Sequence, residues 1–307
     1  MELTSSDYHK ALNELQPRVT NYGWMISLLR ARIRQVGYFP LRIYRLLKKF
    51  ANPNRPYFIG TTPQGIRYVG DYRDEYSLSW SAYDHYDHEI VQFLTAQMKH
   101  CRGAYLDIGA NMGVTAALAA RELAGREQVF AFEPLPVTAQ RAAATFALND
   151  LKNVRLFQAA LSDADSEITF YSPEGHSEIA SAHRNGQMEW MNVQEVRVPS
   201  VRLDTILDKE TQSRVGLIKI DVEGHEIFAL RGGSKMLARD QPPILYEYCP
   251  TTMVGGNWDD KDMVEFLSTV GDYGLRVLNH DNTWSDFPPP PNSAHYVNVF
   301  CEARKPI

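Results

Sequence analysis

Beyond residue 81 the chain is dominated by short apolar runs separated by longer stretches of helical period. Residues 104–108 (AYLDI), 128–132 (QVFAF), 154–158 (VRLFQ), 216–220 (GLIKI) and 243–246 (PILY) have the length and apolar content of buried strands. Strands alternating with helices predict an α/β fold, a doubly wound and mostly parallel sheet with crossover helices on its faces. Upstream, residues 57–60 and 65–69 flank a Thr-Thr-Pro turn and predict a short hairpin. Ile43, Leu46, Leu47 and Phe50 recur at helical spacing, with Arg42, Arg45, Lys48 and Lys49 between them. That pattern predicts a basic amphipathic helix over residues 41–50. The chain therefore divides into a helical extension with a β lead-in, residues 1–80, and a sheet domain, residues 81–307.

At 307 residues and 44% hydrophobic, the sequence has enough apolar surface for a large core. Its net charge of -5 conceals an uneven distribution, because residues 15–70 contain Lys and Arg but no Asp or Glu. Peripheral contact of residues 41–50 with anionic lipid is one reading of that front, and the solvated face of an ordinary packed helix is the other. Nucleic acid is not expected as a partner, since no binding motif accompanies the charge. Cys101, Cys249 and Cys301 lie far apart without CxxC spacing, so free thiols are expected. With neither a signal peptide nor a spanning run legible, a cytoplasmic location is expected. Nothing in the sequence addresses oligomeric state.

The exits of the strands carry the candidate chemistry, because ligands of open parallel sheets sit beyond the strand carboxyl ends. The first strand carries Asp107 and runs into Gly109-Ala110-Asn111-Met112-Gly113; the second stops at Glu133-Pro134. The third closes through Ser162 and Asp163, the fourth stops at Asp221, and the fifth stops at Glu247. A dinucleotide fingerprint, G-x-G-x-x-G, is matched once in three at this turn, and no P-loop is present. A strand acid, two glycines and Glu133, placed to accept from a ribose diol, suit a nucleoside without pyrophosphate. S-adenosylmethionine, with its ammonium and sulfonium, fits such an acidic rim.

Taken together, residues 105–113 (YLDIGANMG), 130–134 (FAFEP), 160–163 (ALSD) and 217–226 (LIKIDVEGHE) resemble the FkbM family of S-adenosylmethionine-dependent methyltransferases. The resemblance covers roughly residues 70–300. It implies the class I fold with seven strands, closing with an antiparallel pair over residues 275–278 and 295–301. By the same resemblance Asp107, Gly109, Asn111 and Gly113 hold the methionine end of the cofactor, Glu133 its ribose, and Asp163 lies near adenine. Ala110, Pro134, Ser162 and Asp221, in the same motifs, are expected to bind the cofactor as well. Steric necessity at the glycines and a simple turn at Asp163 are the competing readings. Glu89 is either a further cofactor contact or a solvated helix acid.

Period-two alternation puts Lys219 and Asp221 on one side of the fourth strand. A lysine in an apolar run needs a carboxylate, and Asp221 and Glu247 are the natural partners. His225 is the first choice for the base that takes the acceptor proton, with Asp221 the alternative and a helix cap the competing role for the histidine. Asp221, Glu223, His225 and Glu247 also form a candidate magnesium set, ranked below cofactor binding because no ligand spacing is diagnostic. Asp204 reads as a helix cap. Residues 172–194 form a long insert, a cover for the acceptor or a surface loop. Tyr83, Tyr86, Trp190, Trp258 and Trp284 either stack on a sugar or belong to the core.

The leading function is methylation of a hydroxyl on a carbohydrate-like acceptor: a sugar, nucleotide-linked sugar or natural-product scaffold. A nucleotide-sugar or NAD-dependent enzyme is the second reading, and a membrane-attached module without catalysis the third.

Overall fold

The computed structural model describes residues 2–20, 54–82, 87–210, 214–289 and 296–304. The expected basic helix at residues 41–50, Tyr83, Tyr86 and His295 lie outside the described residues.

In chain order the strands are β1 (Glu2–Leu3), β2 (Tyr57–Thr61), β3 (Arg67–Asp71), β4 (Ala104–Ile108), β5 (Val129–Phe132), β6 (Val154–Phe157) and β7 (Ala160–Leu161). They continue with β8 (Ser166–Pro173), β9 (Val193–Val201), β10 (Val215–Ile220), β11 (Ile244–Tyr248), β12 (Tyr273–Leu278), β13 (Trp284–Asp286) and β14 (Val297–Ala303). The main sheet among the described residues runs β1-β6-β5-β4-β10-β11-β14-β12-β13. From β6 to β11 all neighbours are parallel, and β14 and β12 form the expected antiparallel pair. The seven strands implied by the sequence thus form the body of the sheet. β1 and β13 extend it by a short antiparallel pairing at either edge, too brief to carry a readable period.

Alternation along the central strands explains the layers. On β4, Tyr105 packs into one core with Leu94, Ala116 and Val129, while Leu106 and Ile108 pack into another with Phe130, Ile218 and Ile227. Burial on both faces is what a parallel sheet wrapped by crossover helices requires. The first core also holds Tyr8, Leu15, Phe58 and Tyr68, so side chains from both sides of residue 80 share one interior. Tyr8, on the helix Ser5–Leu15, donates to the Val154 carbonyl at 3.2 Å and accepts from the Leu156 N–H at 2.8 Å. It therefore ties the first helix to β6.

Two assignments at strand ends change. Glu247 lies within β11, opposite Asn298, rather than beyond it. Asp204 does cap a helix, but Ser234–Asp240 instead of its own: it accepts from the N–H groups of Lys235 and Met236 at 3.1 and 3.0 Å. The three cysteines are buried and unbonded to one another. Among the described residues no helix is long and apolar enough to cross a membrane.

Candidate functional site

A cavity of about 1170 Å³, open mouth included, lies beyond the carboxyl ends of the parallel strands. Gly109, Asn111, Glu133, Pro134, Asp221, Glu223, His225 and Glu247 line it, so most of the strand-exit candidates do converge. Asp107, Ala110, Gly113, Ser162, Asp163 and Lys219 are not in its wall.

The turn after β4 is built for close packing. Gly109 has φ +83°, and a Cβ there would collide with the Asp221 carbonyl oxygen. Its backbone must pass so close to the end of β10 that only glycine fits. Asn111 follows at φ 47° and donates its N–H to Glu133 at 3.0 Å, while Leu135 donates to the other carboxylate oxygen at 3.0 Å. Each oxygen of Glu133 keeps a further acceptor site, which is the arrangement a ribose diol needs. Beside it Leu135, Ala159, Ala160, Leu161, Phe170, Ile179 and Ala180 form an apolar shelf of the right character for a purine. Asp163, expected near adenine, is exposed and only accepts from Ser162 at 3.4 Å.

Asp107 acts from beneath. Fully buried, it accepts from Thr115 at 2.7 Å and stands 3.8 Å from Lys219, its register partner on β10. Lys219 also pairs with Asp221 at 3.1 Å, as the alternation predicted. Its second close partner is Asp107, because parallel pairing of β4 with β10 puts those two side chains next to each other, while Glu247, the other expected partner, feels the lysine from further off. Burial works against the lysine's charge, yet Asp221 and then Asp107 hold its pKa above the usual value. The charge is therefore kept and oriented at Asp221.

His225 is enclosed on both sides. Its Nδ1 meets Nε2 of His183 at 2.9 Å and its Nε2 meets the Ser162 hydroxyl at 3.0 Å. Burial, then the neighbouring His183, push it down to about 3. A ring with both nitrogens engaged and so low a basicity is poorly suited to the base role expected of it. Sequence reasoning missed Tyr76, Asp87, Ser177, Glu178 and Tyr296, all of which line the cavity. Asp87, two residues from the Glu89 that was considered, is pushed up to about 7 by burial and by Asp221. Glu89 itself points elsewhere, to His280 Nδ1 at 2.6 Å. Trp258 is buried and donates to the Gly224 carbonyl, and neither Trp190 nor Trp284 lines the cavity.

The insert supplies one wall. Ser177 donates its N–H and hydroxyl to Asp74 at 2.9 and 3.0 Å, and its carbonyl accepts from the Asn111 side chain at 3.2 Å. On the opposite side Ser181 donates to the Glu223 carbonyl at 2.6 Å. Asp74 and the loops leaving the adjacent strands β4 and β10 thus anchor this segment beside the cavity, which favours the covering role over the surface loop that the length of the insert left open.

Three buried carboxyls make the ligand-free protein pH-sensitive. Asp87, Glu133 and Glu226 are each pushed up to about 7, in every case chiefly by burial. A raised folded-state value means stability present below the unfolded-state range near 4 and lost as pH rises through 7. His225, lowered to about 3, opposes this by losing stability as pH falls below about 6.5. Glu178, Glu223 and Glu247 are raised in the same sense and His183 is lowered with His225, so the raised groups prevail and the melting temperature without ligand is expected to be higher at pH 5.5 than at pH 8 by about 3 °C or more. Scanning calorimetry at the two pH values, showing an equal or lower value at pH 5.5, would contradict this.

A family model described as "Methyltransferase FkbM domain" matches residues 107–277. The chain is 28% identical over 173 residues to the 2-O-methyltransferase NoeI of Sinorhizobium fredii, an alignment covering 53% of this chain and 70% of the relative. It is 30% identical over 142 residues to Methyltransferase 1 of Beauveria bassiana, covering 41% of this chain and 57% of that protein. Among solved structures, Methyltransferase FkbM from Methylobacillus flagellatus is similar over 84% of this chain and 57% of its own, with 12% identity and a TM-score of 0.43.

Proposed function

The chain belongs to the FkbM family of S-adenosylmethionine-dependent methyltransferases, and from that premise we propose that it methylates a hydroxyl of a neutral, carbohydrate-like acceptor. The observation that carries this reading is the make-up of the cavity wall, rich in carboxyl groups and without a cationic side chain for a phosphate. Asp87, Glu133, Glu178, Asp221, Glu223 and Glu247 line it, and no Lys or Arg does among the described residues. Such a wall suits a cationic donor and offers a phosphorylated acceptor no partner, which turns the reading away from nucleotide-linked sugars. A relative named as a 2-O-methyltransferase supports oxygen as the methylated atom.

In this reading S-adenosylmethionine supplies an electrophilic methyl group on a sulfonium. Glu133 accepts from its ribose, and the shelf of Leu135 and Phe170 covers its base. In-line transfer requires the acceptor oxygen to be aligned and its proton removed as the bond forms. Asp87, at about 7, is matched to that proton in a way His225, at about 3, is not.

The test is transfer of a labelled methyl group to a panel of neutral glycosides, their phosphorylated counterparts and amines. Label is expected on a neutral hydroxyl, and the Asp87→Asn variant should lose about 100-fold in kcat while keeping its affinity for S-adenosylhomocysteine. Exclusive labelling of a phosphorylated compound or an amine would refute the acceptor class, and a fully active Asp87→Asn variant would remove Asp87 as the base.

A further inference from the structure

The loop that follows β10 is braced by its own hydrogen bonds and by Trp258. Glu223 and Gly224 take φ 55° and 96°, and one oxygen of Glu226 accepts from the N–H groups of Val222 and Gly224 at 3.1 and 3.2 Å. Trp258 donates to the Gly224 carbonyl at 2.8 Å. This bracing turns the Glu223 side chain into the cavity, toward Asp221 before it in the loop and Glu247 on the neighbouring strand β11. One oxygen from each of the three carboxylates lies within 4.8 Å of the others.

Crowded acids alone would not indicate a ligand, but Glu223 adds an independent sign. It is only 7% exposed, and its Oε2 is buried without a hydrogen-bond partner. A buried carboxylate oxygen that nothing satisfies is costly, and a braced loop gives it no route to water. The close ion pairs of Lys219 are with Asp221 and Asp107, so among the described residues neither Glu223 nor Glu247 forms an ion pair with a lysine or arginine, although Lys219 acts on Glu247 from further off.

We propose that Asp221, Glu223 and Glu247 form a binding site for one divalent cation of the magnesium, manganese or calcium class. Oxygen-only ligands select hard cations. Three oxygens within 4.8 Å of one another lie at most about 2.8 Å from a common centre, against about 2.4 Å for calcium and about 2.1 Å for magnesium, so a contraction of well under 1 Å closes the cluster on an ion. His225, considered earlier for this set, is not a ligand, because His183 and Ser162 occupy its two nitrogens. The cation would lie in the same cavity as the acceptor, where it can lower the pKa of a bound hydroxyl. That role rests on the O-methyl reading; the binding site itself does not.

The test is a titration of the full chain with Mn2+, followed by calorimetry and by electron paramagnetic resonance, with and without S-adenosylhomocysteine. About one equivalent is expected to bind in both conditions, and Glu223→Gln should weaken it by about 10-fold or more with an unchanged circular dichroism spectrum. No binding at millimolar Mn2+, or binding that Glu223→Gln leaves intact, would overturn the proposal. Release of Mn2+ by S-adenosylhomocysteine would also overturn it, because the cluster would then be the seat of the cofactor's ammonium. Should Glu223→Gln fail to fold, Glu247→Gln is read by the same criteria. Methyl transfer to a hydroxyl is measured separately by the label assay, so the two readings fail independently.

Discussion

Replacing Arg141 with methionine is expected to cost about 3–5 kcal/mol of stability, the usual penalty for stranding one partner of a buried ion pair. Arg141 and Asp74 are both almost completely buried, with their charged groups 3.1 Å apart. Burial alone would raise the Asp74 carboxyl, but Arg141 and hydrogen bonds from Ser77 and Ser177 hold it below its usual value. The guanidinium also donates to the Val69 carbonyl and to the Ser77 hydroxyl, joining hairpin, helix and insert at one point. Urea denaturation of Arg141→Met and of the double variant with Asp74→Asn checks this. The double variant should recover part of the loss, and a single-variant loss below about 1 kcal/mol would contradict the assignment. Since Asp74 anchors Ser177, which in turn accepts from Asn111, weaker cofactor binding is expected alongside.

Gly109→Ala is expected to reduce turnover by about 100-fold or more, the scale on which displacement of about 1 Å disables a positioned site. At φ +83° any L side chain is strained, and the clash is with the backbone of Asp221 rather than with a side chain able to rotate away. The substitution must therefore separate the turn from the end of β10, moving Asp221 relative to Asn111 and Glu133. Isothermal titration with S-adenosylhomocysteine should show weakened binding in a protein that still melts cooperatively. Turnover within about twofold of the parent would show that the two segments can part without consequence.

The glycine illustrates how far local pattern reaches. That a glycine stands after the first strand is evident in the sequence, and so is the candidate ribose acceptor Glu133. Whether the glycine serves a ligand or a neighbouring backbone depends on Asp221, 112 positions later, and only the pairing of β4 with β10 answers it. The pairing of Lys219 with Asp221 was legible because it depends on alternation within one strand. The one with Asp107 was not, since it depends on register between strands. His225 looked like a base because an exposed imidazole is one; His183, brought from the insert, and Ser162, from the loop after β7, close it off. Asp87 carried no signal, because its raised pKa comes from burial and from Asp221.

By itself the sequence determined the five parallel strands and what stands at their exits, the α/β class, the glycine turn and the acids at the rim, but not the separate sheet of β7, β8 and β9. Those properties follow from hydrophobic period and from backbone conformations that few residues tolerate, and both are local. Tertiary structure alone decided which acids meet, which are satisfied, and which wall the insert completes. Contact between distant segments sets solvation and charge proximity, and these govern whether a carboxylate holds a proton, a lysine or a ligand.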